Sequence, residues 1–221
     1  MFQRWTQLTF LHWRYQPEVI RPLLPVSLEL DTFDGAAWIG LTPFVVTGLR
    51  PPWFPPLPWI SRFPEMNVRT YVRGPDGERG IWFFSLEADR LAAVAGARLS
   101  YGLPYRWARM SVNPLPQEVE YASKRHFGVG EAHIVIRRHS PIQPNERERF
   151  LTARFRLYTK IAGKLAFAQV EHEPWPLESA TALKVEQNVI ENSDLPLASG
   201  EPLVHFSRGV YVRIGRPTLV G

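Results

Sequence analysis

The chain contains no cysteine, which excludes disulfide bonds, thiolate metal sites and a thiol nucleophile. It also has no apolar run of about 18 residues, the length that a membrane-spanning helix needs. Its start, from Met1 to Gln7, has neither the basic region nor the apolar stretch of a signal peptide. We therefore expect a cytoplasmic protein with no membrane partner.

Familiar catalytic signatures are missing as well. The sequence has no phosphate-binding loop, no His-Glu-x-x-His motif, no Gly-x-Ser-x-Gly elbow and no Gly-x-Gly-x-x-Gly fingerprint. Its six histidines do not follow metal-ligand spacing. In Glu171-His172-Glu173, a strand would turn the two carboxylates to one face and the imidazole to the other. We expect neither a metal site nor a cofactor.

Lysine is scarce in this sequence. Of the 26 basic residues, 22 are arginines and four are lysines, at positions 124, 160, 164 and 184. Arginine binds carboxylate and phosphate groups bidentately, and the net charge is +5, so an anionic partner has to be considered. The arginines are scattered, without a run of five or six basic residues, and a nucleic acid is therefore not the expected partner. The length of 221 residues fits a single domain over residues 1–221.

Residues 63–73 carry the most informative pattern in the chain. Read with the period of a strand, they place Glu65, Asn67, Arg69 and Tyr71 on one face and mainly apolar side chains on the other. This polar face is either a solvated surface or the lining of a cavity that contacts a ligand. The pattern alone leaves both interpretations open.

Similar patterns predict strands over residues 8–15, 36–49, 80–86, 99–112, 133–138, 150–159, 165–173 and 203–214. Short helical segments are expected at residues 17–25, at residues 89–98 with Asp89 as the cap, and at residues 178–191. Many strands with few helices indicate a barrel or a sandwich with short helices packed outside.

Residues 51–64 hold six prolines, with Trp53, Phe54, Trp59 and Phe63 between them. Proline lacks an N–H donor, so this segment cannot be a central strand or a helix interior. Aromatic side chains favour burial, and we expect an ordered loop over the core, either as a static cover or as a lid.

Five segments together form a recognisable set: Phe63-Pro-Glu-Met-Asn-Val-Arg-Thr-Tyr-Val72, Trp82-Phe-Phe-Ser-Leu-Glu-Ala88, Leu103-Pro-Tyr-Arg-Trp-Ala-Arg-Met110, Val170-Glu-His-Glu-Pro-Trp-Pro-Leu177 and His205-Phe-Ser-Arg-Gly-Val-Tyr-Val212. They resemble the YqjF-like family of uncharacterised bacterial proteins. That family is similar in pattern to the acetoacetate-decarboxylase-like superfamily. The resemblance implies a mainly β fold with a few short α-helices, a closed, cone-shaped antiparallel β-barrel around a small pocket.

The superfamily's enzymes use a lysine that forms a Schiff base with a keto acid, in a Gly-x-Pro-Lys-Lys type of motif. The similar stretch here is Gly102-Leu-Pro-Tyr-Arg106, so the resemblance puts Tyr105 and Arg106 at the two lysine positions. A phenol forms no imine and a guanidinium stays protonated, which disfavours Schiff-base decarboxylation. Glu65 resembles a glutamate that recurs in the superfamily.

The first functional hypothesis is a small-molecule-binding domain that has kept the superfamily's pocket and lost its lysine. The ligand would be a small organic acid, with Arg69 or Arg109 holding its carboxylate and Glu65 orienting it or exchanging a proton with it. The polar lining is expected to comprise Glu65, Asn67, Arg69, Tyr105 and Arg109.

Two alternatives remain open. An enzyme would use Glu65 with His172 or Tyr105 as acid and base in a lysine-independent hydration, tautomerisation or hydrolysis. A structural or nucleic-acid-associated protein is the other. A homo-oligomer is compatible with each hypothesis.

Overall fold

The computed structural model describes residues 1–220, and most of them lie in β-strands. The strands are β1 (Phe2–Tyr15), β2 (Glu29–Leu30), β3 (Ala37–Arg50), β4 (Phe63–Arg73), β5 (Arg79–Ala88), β6 (Tyr105–Pro114), β7 (Glu118–Arg125), β8 (Glu131–Pro141), β9 (Arg156–Ile161), β10 (Lys164–His172), β11 (Leu177–Gln187), β12 (Leu203–Ile214) and β13 (Thr218–Leu219). The helices are α1 (Pro17–Ile20), α2 (Leu91–Tyr101) and α3 (Glu146–Thr152), with 3₁₀ turns at Arg21–Leu23 and Glu191–Ser193. The expectation of a mainly β fold is confirmed. None of the helices in the described part of the chain has the length and apolarity needed to cross a membrane.

All of these strands belong to one sheet, which forks at β5 and at β12. From β5 one branch runs through β9 and β10 to β12, and the other runs through β6, β7, β8 and β11 to β12. Strands β1, β3 and β4 connect β12 back to β5. The strand pairings therefore form two circuits, which share β12, β1, β3, β4 and β5.

The pairings are antiparallel except at β5, which runs parallel to both β6 and β9 over residues 1–220. Parallel neighbours need a long crossover connection, and α2 lies in the connection between β5 and β6. The expectation of an entirely antiparallel sheet is therefore wrong at this strand.

The two larger apolar cores lie one in each circuit, and a smaller cluster includes Leu28, Val72 and Tyr158. The first core includes Phe10, Phe44, Phe83, Leu157 and Val170. The second core includes Ile39, Met66, Tyr121, Ile134 and Phe206. Strands β1, β3, β4 and β12 supply side chains to both cores, so their two faces are both covered by protein.

Strand β4 shows most clearly that both faces of these strands are covered. Every residue from Glu65 to Val72 is buried. Met66 and Val68 pack in the second core, whereas the opposite face points into the first core. This arrangement excludes a solvated polar face for β4.

The helix expected over residues 178–191 is wrong. Residues Leu177–Gln187 form β11, which pairs with β8 and β12. Its register with β8 shifts between Glu178 and Ala180 and again between Ala182 and Lys184. Such irregularities interrupt the period of two, and the remaining apolar spacing then resembles that of a helix.

A strand was expected over residues 150–159, but the observed strand starts later. Helix α3 continues to Thr152, and β9 begins at Arg156. The Asn145 side chain accepts hydrogen bonds from the backbone N–H groups of Arg147 and Glu148, and the Glu148 carboxylate accepts one from the Asn145 N–H. This reciprocal capping box favours a helix where the apolar alternation predicts a strand.

Helix α2 forms close to its expected position, but Asp89 does not cap it. The Asp89 carboxylate instead accepts a hydrogen bond of 3.1 Å from the backbone N–H of Met110 and pairs with Arg90. The helix ends at Gly102, whose φ of 63° lies in the left-handed region. A Cβ there would collide with the carbonyl oxygen of Lys160, so glycine is required.

The tryptophans of the proline-rich segment were expected to be buried, but they are exposed. Trp53 is 97% exposed and Trp59 is 85% exposed. Hydrogen bonds to the rest of the chain include those from the Leu49 N–H to the Ser61 carbonyl and from the Arg90 Nε to the Trp59 carbonyl. Prolines fix φ and supply no N–H, which prevents the segment from joining the sheet.

Candidate functional site

A cavity of about 410 Å³ lies in the first core. Its walls come mainly from β4, β5 and α2, with further residues from the beginning of β1 and from β3, β6, β9, β10 and β12. Most of the lining is apolar, and the polar side chains in it are Gln3, Glu65, Asn67, Arg69, Ser100, Tyr101 and Tyr105. A mainly apolar cavity with a few polar groups is the usual form of a small-molecule site.

Alternation along β4 brings Glu65, Asn67 and Arg69 to this cavity. Tyr71, the next residue on that face, is buried in the first core but does not line the cavity. Its hydroxyl lies 2.6 Å from the Nε2 of His12 and donates a 2.6 Å hydrogen bond to the carbonyl of Leu151. Tyr71 therefore belongs to the packing around the site.

The Glu65 carboxyl group accepts a hydrogen bond of 3.0 Å from the Tyr105 hydroxyl. Burial raises the pKa of Glu65 to about 8; the Tyr105 hydrogen bond opposes this rise, and the charge of Glu87 adds to it. Burial, together with the adjacent Glu65, raises the pKa of Tyr105 well above its ordinary value. At neutral pH, Glu65 is therefore mainly a neutral acid, which can donate a hydrogen bond into the cavity.

Arg69 is a buried cation without a counterion in residues 1–220. Its residue is 7% exposed, and no carboxylate in this range forms an ion pair with it. Its Nε has no hydrogen-bond partner there either. The guanidinium lies over the rings of Phe10 and Tyr71, at 5.3 and 6.0 Å from their centroids.

The histidine next to Arg69, His12, is neutral and adds no second positive charge beside it. Burial lowers the pKa of His12 well below its ordinary value, and the positive charges of Arg69 and His205 lower it further. A neutral His12 leaves Arg69 as a charge in an apolar environment, which is costly unless an anion pairs with it.

Asn67 lies between Glu65 and Arg69 and is 4% exposed. Its Oδ1 has no partner within residues 1–220, and the same holds for the Oγ1 of Thr42, its register neighbour on β3. Buried polar atoms are normally hydrogen-bonded, so Asn67 adds a second unsatisfied group to the cavity wall.

Two of the residues proposed from the sequence lie elsewhere. Arg109 is exposed on β6 and does not line the cavity. His172 stacks on Phe155 and contacts Trp175 at a tilted angle, with ring centroids 4.8 Å away in each case. Its Nδ1 donates to the Glu173 carbonyl. It lines a groove on the surface rather than the cavity, so it cannot act there together with Glu65.

The two positions similar to the superfamily's lysines differ from each other. Tyr105 lines the cavity, whereas Arg106 is exposed. None of the four lysines is among the residues that line the cavity in the described chain. No group of three or more His, Asp or Glu side chains in residues 1–220 is arranged to hold a metal ion.

Sequence reasoning missed the wall formed by α2. Ala92, Ala93, Gly96 and Ala97 line the cavity together with Ser100. Their spacing at positions i, i+1, i+4 and i+5 is that of one helix face. This spacing is the sequence pattern that could have indicated a cavity wall on α2. The small side chains leave room that larger ones would fill.

Known proteins resemble this chain both in sequence and in fold. The model of the family DUF2071, described as uncharacterised conserved proteins, matches residues 2–211. The uncharacterised protein YqjF of Bacillus subtilis (strain 168) is 38% identical over 212 residues, which cover 94% of this chain and 87% of YqjF. This confirms the resemblance to the YqjF-like family.

Two solved structures are similar in fold. Acetoacetate decarboxylase from Legionella pneumophila matches with a TM-score of 0.70 and 15% identity, over 100% of this chain and 88% of that protein. The enduracididine biosynthesis enzyme MppR, complexed with pyruvate, matches with a TM-score of 0.71 and 14% identity, over 100% of this chain and 90% of that one. The chain thus has an acetoacetate-decarboxylase-like fold, and by sequence it belongs to the DUF2071 family of conserved proteins.

Proposed function

We propose that this protein binds a small organic acid in the cavity of the first core, with Arg69 as the partner of the ligand's carboxylate. The observation that carries this proposal is the buried guanidinium of Arg69, which lines the cavity and has no ion-pair partner among residues 1–220. A ligand carboxylate would supply the missing negative charge and accept bidentate hydrogen bonds. MppR, a fold neighbour, has been solved with pyruvate, which is itself an organic acid.

Glu65 and Tyr105 complete the proposed site as neutral hydrogen-bonding groups. With a pKa of about 8, Glu65 is mainly protonated at neutral pH and does not repel an anion as a carboxylate would. Arg109 and His172 do not line the cavity, and we leave them out of the site. Asn67 supplies an amide that can contact the ligand.

The first circuit of strands forms, in this proposal, the wall of the superfamily's closed, cone-shaped barrel. Support comes from its pairings, which lead from β5 through β9, β10, β12, β1, β3 and β4 back to β5. Schiff-base chemistry stays disfavoured, because the cavity lining contains no lysine in the described chain. A cytoplasmic location remains part of the proposal.

A lysine-independent enzyme is the second candidate, and the pKa of Glu65 favours it. A carboxyl group with a pKa of about 8 is poised near neutral pH, where general acid–base groups are most effective. Tyr105 would act as its hydrogen-bond donor, in place of the more distant His172. This candidate fails if Glu65→Gln leaves the turnover of an identified substrate unchanged. No observation favours the structural or nucleic-acid-associated alternative.

The proposed function predicts that Arg69→Gln strongly weakens the binding of organic acids. Truncating one partner of a buried charge pair costs about 2 kcal/mol or more, so we expect Kd to rise about thirtyfold or more. Isothermal titration with keto acids, hydroxy acids and simple carboxylates measures this. Arg69→Gln should fold, because it removes an unpaired buried charge.

Arg109→Gln is the matched control, because it removes an exposed arginine outside the cavity. It should bind the same acids as the wild type does. An acid that binds Arg69→Gln and wild type equally well, or one that depends on Arg109, contradicts the proposal.

A further inference from the structure

Two of the polar side chains that line the cavity, Glu65 and Arg69, mark two places on β4, which we call stations. Glu65 and Arg69 are four residues apart, which corresponds to roughly 13 Å along a strand at ~3.3 Å per residue. Tyr105 is bonded to Glu65 at one station, while the guanidinium of Arg69 packs on Phe10 and Tyr71 at the other. Both stations line the same cavity.

Their electrostatic neighbours also differ. The charge of Arg69 acts on the pKa values of His12, Tyr71 and His172. The carboxyl group of Glu65 is instead affected by Tyr105 and Glu87. Since Glu65 and Arg69 are four residues apart on β4, a single small carboxylate at Arg69 leaves the Glu65 carboxyl group without a hydrogen bond to the ligand.

Apolar side chains flank the path between the two stations. In the strand register, Phe44 lies beside Glu65, Leu86 beside Asn67 and Phe83 beside Arg69. All three of these apolar residues line the cavity. On β4 itself the Asn67 amide is the polar group between the two ends, and its apolar strand neighbours suit an apolar ligand body.

We infer that the ligand is an elongated organic acid, with its carboxylate at Arg69, a mainly apolar body along β4 and an oxygen at its far end that accepts a hydrogen bond from Glu65. This inference rests on the proposed function and specifies its ligand class. A ligand of the size of pyruvate would fill only part of the cavity of about 410 Å³. An apolar far end would leave the buried Glu65 acid without an acceptor, which is unfavourable.

Chain length is the first test, made by titrating the wild-type protein with pyruvate, butanoate, hexanoate, octanoate and decanoate. Each methylene group that becomes buried should lower Kd about fourfold, until the chain exceeds the cavity. Affinity should therefore rise from butanoate to octanoate by well over tenfold. Arg69→Gln should lose the binding of every member of the series.

The far end is tested by comparing octanoate with 8-hydroxyoctanoate in the wild type and in Glu65→Met. The preference for the hydroxy acid over octanoate should fall about tenfold in Glu65→Met, because this variant removes the hydrogen-bonding group but keeps a side chain of similar length. Because Glu65→Met also frees the Tyr105 hydroxyl, which is then able to donate to the ligand, the same comparison between Tyr105→Phe and the double variant Tyr105→Phe/Glu65→Met isolates Glu65.

Helix α2 offers a variant that shortens the cavity. Gly96 lines it, and a Cβ at Gly96 would meet no atom within 4 Å, so Gly96→Leu should fill space without a backbone clash. Gly96→Leu should weaken octanoate binding at least tenfold relative to butanoate binding. Ala95→Leu, at an exposed position of the same helix outside the lining, is the control and should leave the series unchanged.

The outcomes separate the two proposals. If pyruvate and butanoate bind in an Arg69-dependent way and longer chains bring no gain, the elongated ligand is wrong while the proposed function stands. The elongated ligand is equally wrong if the hydroxy-acid preference is the same in Tyr105→Phe and in the double variant Tyr105→Phe/Glu65→Met. If no acid binds through Arg69, the proposed function fails and this inference fails with it.

Discussion

Burial, more than any neighbouring charge, controls the protonation of Glu65. Removing this carboxyl group from water disfavours its ionised form, and the hydrogen bond from Tyr105 offsets only part of that effect. The result is a pKa of about 8 against an ordinary value of 4.5. Between those two pH values, the folded protein holds a proton that the unfolded chain has released.

This difference predicts a stability that depends on pH. The contribution of Glu65 is fully present below about pH 4.5 and is lost as pH rises through about 8. Glu65→Gln imitates the protonated acid, so its free energy of unfolding relative to wild type should increase by up to about 1.4 kcal/mol per pH unit in this range. Urea denaturation from pH 5 to pH 9 measures the difference.

The buried histidines do not disturb this comparison. Burial lowers the pKa values of His12, His172 and His205, so they destabilise the fold as pH falls below their ordinary values. They are the same in both proteins, and their effect cancels in the difference. Parallel pH profiles for wild type and Glu65→Gln would contradict the raised pKa.

Among the secondary-structure elements, those with local signals were the predictable ones. The alternation of residues 63–73 and of residues 203–214 corresponds to β4 and β12. Strand β11 could not be recognised, because its irregular register depends on its pairing with β8 and β12. Helix α3 has a local capping box, but the alternating apolar residues from Leu151 onward favour a strand when the sequence is read alone.

The capping box of α3 predicts a measurable contribution from Asn145. Its side chain accepts hydrogen bonds of 2.9 and 3.2 Å from the N–H groups of Arg147 and Glu148. Asn145→Ala leaves both donors without this partner and should lower the free energy of unfolding by about 1 kcal/mol. Chemical denaturation measures it. Asn113→Ala, at an exposed position in β6, should change stability by no more than about 0.5 kcal/mol, and equal effects would contradict the capping role.

In the molecule as a whole, a buried carboxylate connects parts of the chain that are distant in sequence. Asp31 follows β2, and its side chain is 2% exposed. It pairs with Arg154 at 2.7 Å, with Arg73 at 3.0 Å and with Arg79 at 3.4 Å. Arg154 lies in the segment before β9, Arg73 at the end of β4 and Arg79 at the beginning of β5, so one side chain joins several regions.

Asp31 should therefore be important for stability. Asp31→Asn leaves the buried Arg154 without its counterion, and removing one partner of a buried pair costs about 3–5 kcal/mol. Asp34→Asn is the control, because Asp34 pairs with Arg14 at an exposed site, where such a pair contributes about 0–1 kcal/mol. Urea denaturation of both variants distinguishes them, and a similar small loss in each would contradict the role of Asp31.

Several features of this protein depend on local geometry and residue chemistry and could be derived along the chain. They include the alternating strand at residues 63–73 and the absence of lysine at positions 105 and 106, whereas the strand expected over residues 99–112 begins only at Tyr105. Backbone sterics and side-chain chemistry act over a few residues, so the order of residues is enough to specify them.

The site itself depends on residues that are far apart in sequence. Glu65 meets Tyr105 and Arg69 meets Phe10 only because β4 is enclosed on both faces by the two circuits of the sheet. The same enclosure leaves Arg109 outside, although it lies close to Tyr105 in sequence. Burial sets the local dielectric environment, and with it the pKa of Glu65 and the cost of an unpaired Arg69.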